Sequence, residues 1–189
     1  MRTFIGIAID AKPIEQISNV IAQLKPRLGA IRWVPPTNFH LTVKFLGEVE
    51  EAKLQTIVQA LRRDLSPFPR FAINAKGLGV FPAVKRPRVL WVGLTGDGLV
   101  RLVAKVETAL APLGFAPEKR SFQPHLTVGR WRQEATSTKI LEDELERWKH
   151  YEFGPSQVND VILLQSLLNT GGATYKSLAS VPLAHGRLG

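Results

Sequence analysis

The chain has 189 residues, of which 44% are hydrophobic and 22% charged, a composition typical of a globular domain with a sizeable core. It contains no cysteine, which excludes disulfide bonds and thiolate metal sites, and no apolar stretch long enough to cross a bilayer. The 25 Lys and Arg residues outnumber the 16 Asp and Glu residues, and the net charge of +9 favours an anionic partner such as nucleic acid. The first residues predict a strand and not a signal peptide, so we expect a cytoplasmic protein without membrane contact.

The first part of the chain predicts a strand, a helix and a second strand. Alternating apolar residues predict the first strand, and apolar residues at spacings of three, four and seven predict one face of a helix. The alternating residues are Ile5, Ile7 and Ile9, and the helical ones are Ile14, Ile17, Ile21 and Leu28. The tetrapeptide HLTV at His40–Val43 predicts the second strand. Because side chains alternate along a strand, His40 and Thr42 share one face of it.

Two further elements precede the middle of the chain. The same periodicities predict a helix near Glu50–Leu65 and a strand near Phe71–Val80. The following stretch, FPAVKRPR at Phe81–Arg88, is rich in proline and basic residues. We therefore expect a loop or crossover between two halves of the chain there, and not a flexible tether between domains.

The second half of the chain repeats the first. HLTV occurs again at His125–Val128, and the distance along the chain from His40 to His125 defines a repeat offset. At this offset the apolar sites of the first strand and helix recur without a gap. The recurring sites are Leu90, Val92 and Leu94 for the strand and Leu99, Leu102, Val106 and Leu113 for the helix. A helix near Ser137–Lys149 follows, then strands near Val158–Leu168 and Thr174–Val181 joined by a hairpin turn at Gly171–Gly172.

The repeat predicts one duplicated α+β domain over residues 1–189, with halves of about 1–84 and 85–189. We expect two antiparallel-sheet lobes with outer helices, related by a pseudo-twofold axis, and a central cleft between them. Such an axis would place the two HLTV strands side by side. Both histidines would then face one cleft.

The two His-x-Thr triplets are the candidate chemistry of the chain. A single His on a strand is usually a structural residue, and common ancestry of the halves explains the identity of the tetrapeptides. It does not explain why the polar pair was kept while the rest diverged. Two imidazoles and two hydroxyls suit acid–base chemistry on a phosphate. An imidazole with a pKa of about 6.5 can act as either acid or base, so the residue types leave open which histidine is which.

Basic and aromatic residues near the motifs are candidates for substrate contact. Arg130 and Trp131 follow the second HLTV, and aromatic or Arg planes commonly hold unpaired bases. Strict alternation predicts that Trp131 lies on the histidine face and that Phe45 and Arg130 lie on the opposite face. Gly129 could allow a bulge that redirects Arg130. No Asp, Glu or further His joins either motif, which argues against a metal site.

The segments FHLTVKFLGEV and PHLTVGRWR resemble the paired His-x-Thr motifs of the two-histidine (2H) phosphoesterase superfamily. The resemblance is greatest to its RNA 2′,3′-cyclic phosphodiesterase group, also described as bacterial 2′-5′ RNA ligase-like proteins. The opening RTFIGIAID and the lead-in RWVPPTNFH also fit that group, so the resemblance covers essentially the whole chain. It implies a bilobal fold with both motifs in a central cleft, and catalysis without a metal or other cofactor.

The resemblance also implies a reaction and a role for each residue. RNA ending in a 2′,3′-cyclic phosphate would be hydrolysed to a 2′-phosphate, with His40 as proton donor to the leaving 3′ oxygen and His125 as proton acceptor from water. Thr42 and Thr127 would hold phosphate oxygens, and Arg130 would bind substrate. Some members are linked to reversible 2′-5′ RNA joining.

Two alternatives stay open at this point. One is a non-catalytic module that binds RNA or a nucleotide, and the other is a phosphoesterase for a small nucleotide such as a 2′-5′ oligoadenylate or an ADP-ribose cyclic phosphate. Intact motifs argue against the first, because binding alone needs no matched acid and base. The basic composition favours RNA over the small nucleotides. We expect a monomer.

Overall fold

This computed structural model describes residues 1–170 and 172–185, which contain nine strands, four α-helices and two short 3-10 helices. The strands are β1 (Arg2–Ala8), β2 (Ile31–Trp33), β3 (His40–Glu48), β4 (Phe71–Ala83), β5 (Arg86–Thr95), β6 (His125–Trp131), β7 (Glu152–Val158), β8 (Asp160–Asn169) and β9 (Gly172–Pro182). The helices are α1 (Ala11–Leu24), α2 (Glu51–Leu65), α3 (Gly98–Leu110) and α4 (Lys139–Trp148). None of the helices so described is long and apolar enough to span a bilayer.

The strands form two antiparallel four-stranded lobes that meet at the HLTV strands. One lobe has the order β9-β8-β1-β3 and the other has the order β6-β5-β4-β7, while β2 adds to β6. The lobes are joined where Leu41 of β3 pairs with Leu126 of β6. These two leucines are the second residues of the two HLTV copies, so they are counterparts in the sequence repeat. The pseudo-twofold axis therefore passes beside this pair, and the predicted duplicated α+β fold is confirmed.

Each lobe contains strands from the other half of the sequence: β8 and β9 lie beside β1 and β3, and β4 and β2 lie beside β5 and β6. The fourth strand of the first half, β4, pairs with β5 at the start of the second half, and β8 of the second half pairs back with β1. The lobes are therefore not the two sequence halves. Separating the halves would expose the edges of both sheets, so we expect neither half to fold alone.

The repeated helices pack their predicted apolar faces into the core. Ile17 and Ile21 of α1 are buried, and so are their counterparts Leu102 and Val106 of α3. Fully burying such a side chain contributes about 1.5–3 kcal/mol. Leu28 is also buried, but α1 ends at Leu24, so the predicted helical face ran one turn too far.

Three predicted connections differ in the structure. Phe81–Arg88 is not a loop, because β4 and β5 pair as far as Ala83 and Arg86 and form a tight hairpin. The predicted strand near Val158–Leu168 is two strands, since Val158 ends β7 and β8 begins after it. The sequence did not predict β7 because Pro155 argues against a strand at this position. The proline is tolerated in the structure because β7 is an edge strand. Gly171 of the predicted turn lies outside the described residues.

Candidate active site

A β-bulge follows the His-x-Thr triplet on each HLTV strand. On β3, Thr42 and Lys44 pair with consecutive residues of β1, which leaves Val43 unpaired. On β6 the equivalent unpaired residue is Val128. One extra residue reverses the alternation of the side chains that come after it. The two bulges are thus repeated features of the duplicated fold, and they decide which later residues face the cleft.

The bulges turn Phe45 and Arg130 toward the histidines. Strict alternation predicted the opposite face for both residues and is wrong, whereas the bulge suggested near Gly129 is confirmed. The ring centroid of Phe45 is 6.0 Å from that of Phe4, which in turn is 4.8 Å from that of His40. The side chain of Phe45 is 62% exposed. An exposed aromatic ring beside the histidines is suited to stacking a nucleobase.

Trp131 points away from the histidine face. It pairs with Ile31 of β2, and directly opposite residues of an antiparallel pair lie on the same face. Ile31 is buried, and the indole of Trp131 packs against the same core. The prediction that Trp131 shares the histidine face is therefore wrong, because it counted residues across the bulge.

Gly129 lets β2 pack closely against β6. A Cβ atom at this position would lie 2.6 Å from Cγ2 of Ile31, which is closer than side chains approach. The counterpart of Gly129 in the first half is Lys44, which is buried. Its Nζ donates a hydrogen bond to the carbonyl oxygen of Ala116 at 2.7 Å and lies 3.4 Å from Oε1 of Glu107 on α3. The repeat therefore keeps the bulge but gives it different neighbours in each lobe.

Both imidazoles are held in the same orientation by the same local contact. Nδ1 of His40 lies 2.7 Å from the carbonyl oxygen of Asn38, and Nδ1 of His125 lies 2.7 Å from that of Gln123. A carbonyl oxygen only accepts, so Nδ1 carries the proton and donates in each case. This leaves Nε2 of each ring for the cleft. The hydroxyl of Thr42 is 3.1 Å from Nε2 of His40 and donates to it when the ring is neutral.

Aromatic rings surround the two histidines unequally. The His40 ring packs against Phe4 and, edge-on, against Tyr175 of β9 at a centroid distance of 4.6 Å. The His125 ring packs edge-on against Phe81 of β4 at 4.9 Å. Tyr175 and Phe81 lie on strands that come from the opposite sequence half to their histidine. Sequence reasoning missed both, because only the exchange of β4, and of β8 with β9, between the sequence halves brings them to the site.

The pKa of each imidazole is lowered below its ordinary value of 6.5. Burial is the main cause for both rings, and the hydrogen bond from Nδ1 to a carbonyl partly offsets it. The positive charge of Arg130 lowers the pKa of both rings further, and His125 also lowers that of His40. Near neutral pH the free site therefore holds two mostly neutral imidazoles. A bound phosphate anion would favour the protonated form of either ring and raise its pKa.

No group of three or more His, Cys, Asp and Glu side chains clusters anywhere in residues 1–170 and 172–185. The two Nε2 atoms of His40 and His125 can transfer protons, and hydroxyl and guanidinium donors lie beside them. Such donors bind phosphate oxygens.

A family model described as LigT like phosphoesterase matches the chain twice, over residues 7–91 and 93–175. The chain belongs to the LigT-like phosphoesterase family. Its duplicated match agrees with the repeat of the two halves and confirms the resemblance seen in the sequence. Among curated relatives, the RNA 2′,3′-cyclic phosphodiesterase of Aquifex aeolicus is 34% identical over 93% of each chain. That of Methanocaldococcus jannaschii is 37% identical over 93% of this chain and 97% of its own.

Solved structures show the same LigT-like fold. E. coli LigT complexed with 3′-AMP superposes with a TM-score of 0.77 and 27% identity, over 96% of this chain and 97% of that one. A protein of Thermus thermophilus superposes with a TM-score of 0.84 and 24% identity, over 98% of this chain and 100% of that one. The second likeness shows the fold alone.

Proposed function

We propose that this LigT-like protein is an RNA 2′,3′-cyclic phosphodiesterase that works by acid–base catalysis with two histidines. The observation that supports this most strongly is that two imidazoles, each fixed by a carbonyl contact at Nδ1, lie on the adjacent strands β3 and β6. A binding site needs no such matched pair. The curated relatives named for this activity span nearly the whole chain, and the cyclic phosphodiesterase function follows from that kinship.

The proposed reaction begins with one neutral and one protonated imidazole. His125 takes a proton from water through Nε2 as the water oxygen bonds to phosphorus. The bond between phosphorus and the 3′ oxygen breaks, and His40 donates its Nε2 proton to that oxygen. The products are a 2′-phosphate and a 3′-hydroxyl, and both histidines have exchanged protonation states. With an RNA 5′-hydroxyl in place of water as the nucleophile at a cyclic phosphate end, the same groups support 2′-5′ joining, and the reverse of that reaction cleaves the 2′-5′ bond.

Thr42, Thr127 and Arg130 stabilise charge in this proposal and carry no proton. The hydroxyls donate to the non-bridging phosphate oxygens, and Arg130 offsets the charge that gathers on them in the transition state. Trp131 is left out of the substrate-binding set because its indole faces the core. The proposal also includes a monomer made of one bilobal domain, since both lobes and both motifs come from a single chain. Its proposed location is the cytoplasm.

Removing either threonine hydroxyl should weaken catalysis moderately. One hydrogen bond to a charged group contributes about 1.5–3 kcal/mol, so Thr42→Val and Thr127→Val should each lower kcat/KM by about 10–150-fold. Both residues are half-buried and valine is close in shape, so the fold should be kept. Steady-state kinetics with a thermal unfolding control measures this. Two fully active variants would show that the hydroxyls do not contact the phosphate.

Chelation should leave the activity unchanged. The proposed proton transfers need only the two imidazoles, so kcat/KM measured after exhaustive dialysis against EDTA should match that of untreated enzyme. The control is a Zn²⁺-dependent phosphodiesterase treated in parallel, which should lose its activity. A large loss that added Zn²⁺ or Mn²⁺ restores would contradict the mechanism.

A comparison of substrates tests the proposed function itself. An RNA oligonucleotide ending in a 2′,3′-cyclic phosphate should be turned over with a higher kcat/KM than a 2′-5′ oligoadenylate or an ADP-ribose cyclic phosphate, because a chain of net charge +9 attracts a longer anion. Preference for either small nucleotide at low salt would favour the small-nucleotide function. Binding of RNA without turnover of any of the three would favour a non-catalytic module.

A further inference from the structure

The two ends of the cleft differ although the histidines between them are repeated. The repeat offset that carries His40 onto His125 also carries Phe45 onto Arg130 and Phe4 onto Val89. Beyond the bulge, β3 therefore carries the aromatic ring of Phe45 where β6 carries the guanidinium of Arg130. This difference gives the cleft a direction, because one end is suited to a base and the other to a phosphate.

A row of four side chains crosses the lobe that contains β6, which we call the basic lobe because it carries Arg32 and Arg130, on the face that carries the histidines. Arg32 of β2 pairs with Arg130, Arg130 pairs with Val89 of β5, and Val89 pairs with Phe81 of β4. Directly opposite residues in antiparallel strands lie on the same face. The Phe81 ring contacts the ring of His125, so the whole row faces the histidines. Arg32 is therefore an exposed residue of the cleft, one strand beyond Arg130.

The arginine pair is unfavourable without an anion. Arg32 and Arg130 are directly opposite on neighbouring strands, where Cα atoms are about 4.5–5.5 Å apart and like charges repel. Within residues 1–170 and 172–185, no ion pair to a carboxylate involves either guanidinium. The other neighbours in the row, Val89 and Phe81, carry no charge. Two phosphates held side by side would remove this repulsion.

The equivalent position in the other lobe carries no such group. The repeat offset leads from Arg32 to Pro117, and the described structure has no strand there to match β2. Within the described residues, the added strand β2 therefore extends only the basic lobe, where it pairs with β6. Because Gly129 has no side chain, β2 can pack against β6, and this pairing positions Arg32 directly opposite Arg130.

The geometry points to Arg32 as a second phosphate contact, which binds the 3′–5′ phosphodiester immediately upstream of the terminal cyclic phosphate. This rests on the proposed function, since Arg130 and the two histidines must hold the cyclic phosphate itself. The site would then recognise the end of an RNA chain and not merely a terminal nucleotide. Arg32 acts on binding of the chain and not on proton transfer.

Three substrates and one charge-matched control test this subsite. The substrates are a nucleoside 2′,3′-cyclic phosphate, a dinucleotide ending in the same cyclic phosphate, and that dinucleotide with a neutral methylphosphonate linkage. The wild-type enzyme should prefer the charged dinucleotide over the neutral one by about tenfold in kcat/KM. Arg32→Gln should abolish that preference while keeping activity on the nucleoside cyclic phosphate. Arg101→Gln, on the exposed surface of α3, removes the same charge and should keep the preference.

The salt dependence gives a second readout. An ionic contact with a phosphate weakens as salt rises, so Arg32→Gln should make the slope of log K against log salt concentration shallower for the charged dinucleotide. Arg32→Lys should keep most of the slope, because it keeps the charge.

The outcomes separate this subsite from the proposed function. If the wild-type enzyme hydrolyses all three substrates without a preference, or if Arg32→Gln keeps the preference, the subsite is wrong and the phosphodiesterase activity stands. An equal loss on all three substrates would assign Arg32 to the catalytic centre as a whole and overturn the subsite. Absence of turnover of every cyclic phosphate would reject the proposed function, and the subsite with it.

Discussion

His40→Ala and His125→Ala should each lower kcat/KM for an RNA 2′,3′-cyclic phosphate by about 10²–10⁴-fold, the usual contribution of a positioned acid or base. The double variant should be little worse than either single variant, because proton donor and acceptor act as one unit. His150→Ala is the matched control, since that imidazole is exposed, and it should keep full activity. Additive losses in the double variant would contradict a shared catalytic step.

A change of leaving group separates the two histidines. A cyclic phosphate with sulfur in place of the bridging 3′ oxygen releases a thiolate, which needs no proton donor. This substrate should largely restore the activity of His40→Ala and leave His125→Ala inactive. Restoration of His125→Ala instead would reverse the two roles while keeping the two-histidine mechanism. Restoration of neither variant would contradict proton donation to the leaving group.

Arg130→Gln should lower kcat/KM by about 10²–10³-fold and move its pH optimum upward. The loss follows from removing a charged donor from the phosphate in the transition state. The upward shift follows because the pKa of both imidazoles in the free enzyme is lowered mainly by burial and also by the charge of Arg130, with His125 adding to the effect on His40. Without that charge both pKa values rise, and both limbs of the bell-shaped profile move to higher pH. Full pH profiles of kcat/KM for both enzymes measure the two effects together.

The wild-type profile and a charge control complete this experiment. The maximum of kcat/KM for the wild-type enzyme should lie on the acidic side of 6.5, because it falls between two lowered pKa values of the free site. The profile of kcat should lie at higher pH, because bound phosphate stabilises the imidazolium. Arg101→Gln should leave both profiles in place. An Arg130→Gln profile with an unchanged or lower optimum would show that Arg130 does not act on the histidines.

Local patterns in the sequence predicted the repeated elements well. The repeat offset, read from HLTV alone, matched the pairing of Leu41 with Leu126 and the apolar faces of α1 and α3. These features depend on periodicity within one segment, which a single sequence displays directly. The placement of His40 and His125 beside one another followed from the symmetry of the repeat.

Features that depend on neighbouring strands could not be predicted in the same way. Whether Val43 and Val128 are bulged is decided by the register with β1 and β5, and this register sets the directions of Phe45, Arg130 and Trp131. The exchange of β4, and of β8 with β9, between the sequence halves depends on pairing between residues far apart in the chain. The role of Tyr175 beside His40 depends on that exchange, and no local pattern near Tyr175 signals it.

Mapping the product end of a single substrate tests the central proposal most directly. An RNA oligonucleotide with a 2′,3′-cyclic phosphate should be incubated with the enzyme in H₂¹⁸O and EDTA, and its product followed by ³¹P NMR and mass spectrometry. The proposed attack of water with departure of the 3′ oxygen predicts a 2′-phosphomonoester that carries one ¹⁸O atom on phosphorus. A 3′-phosphate, or a cyclic phosphate left intact by correctly folded enzyme, would contradict it.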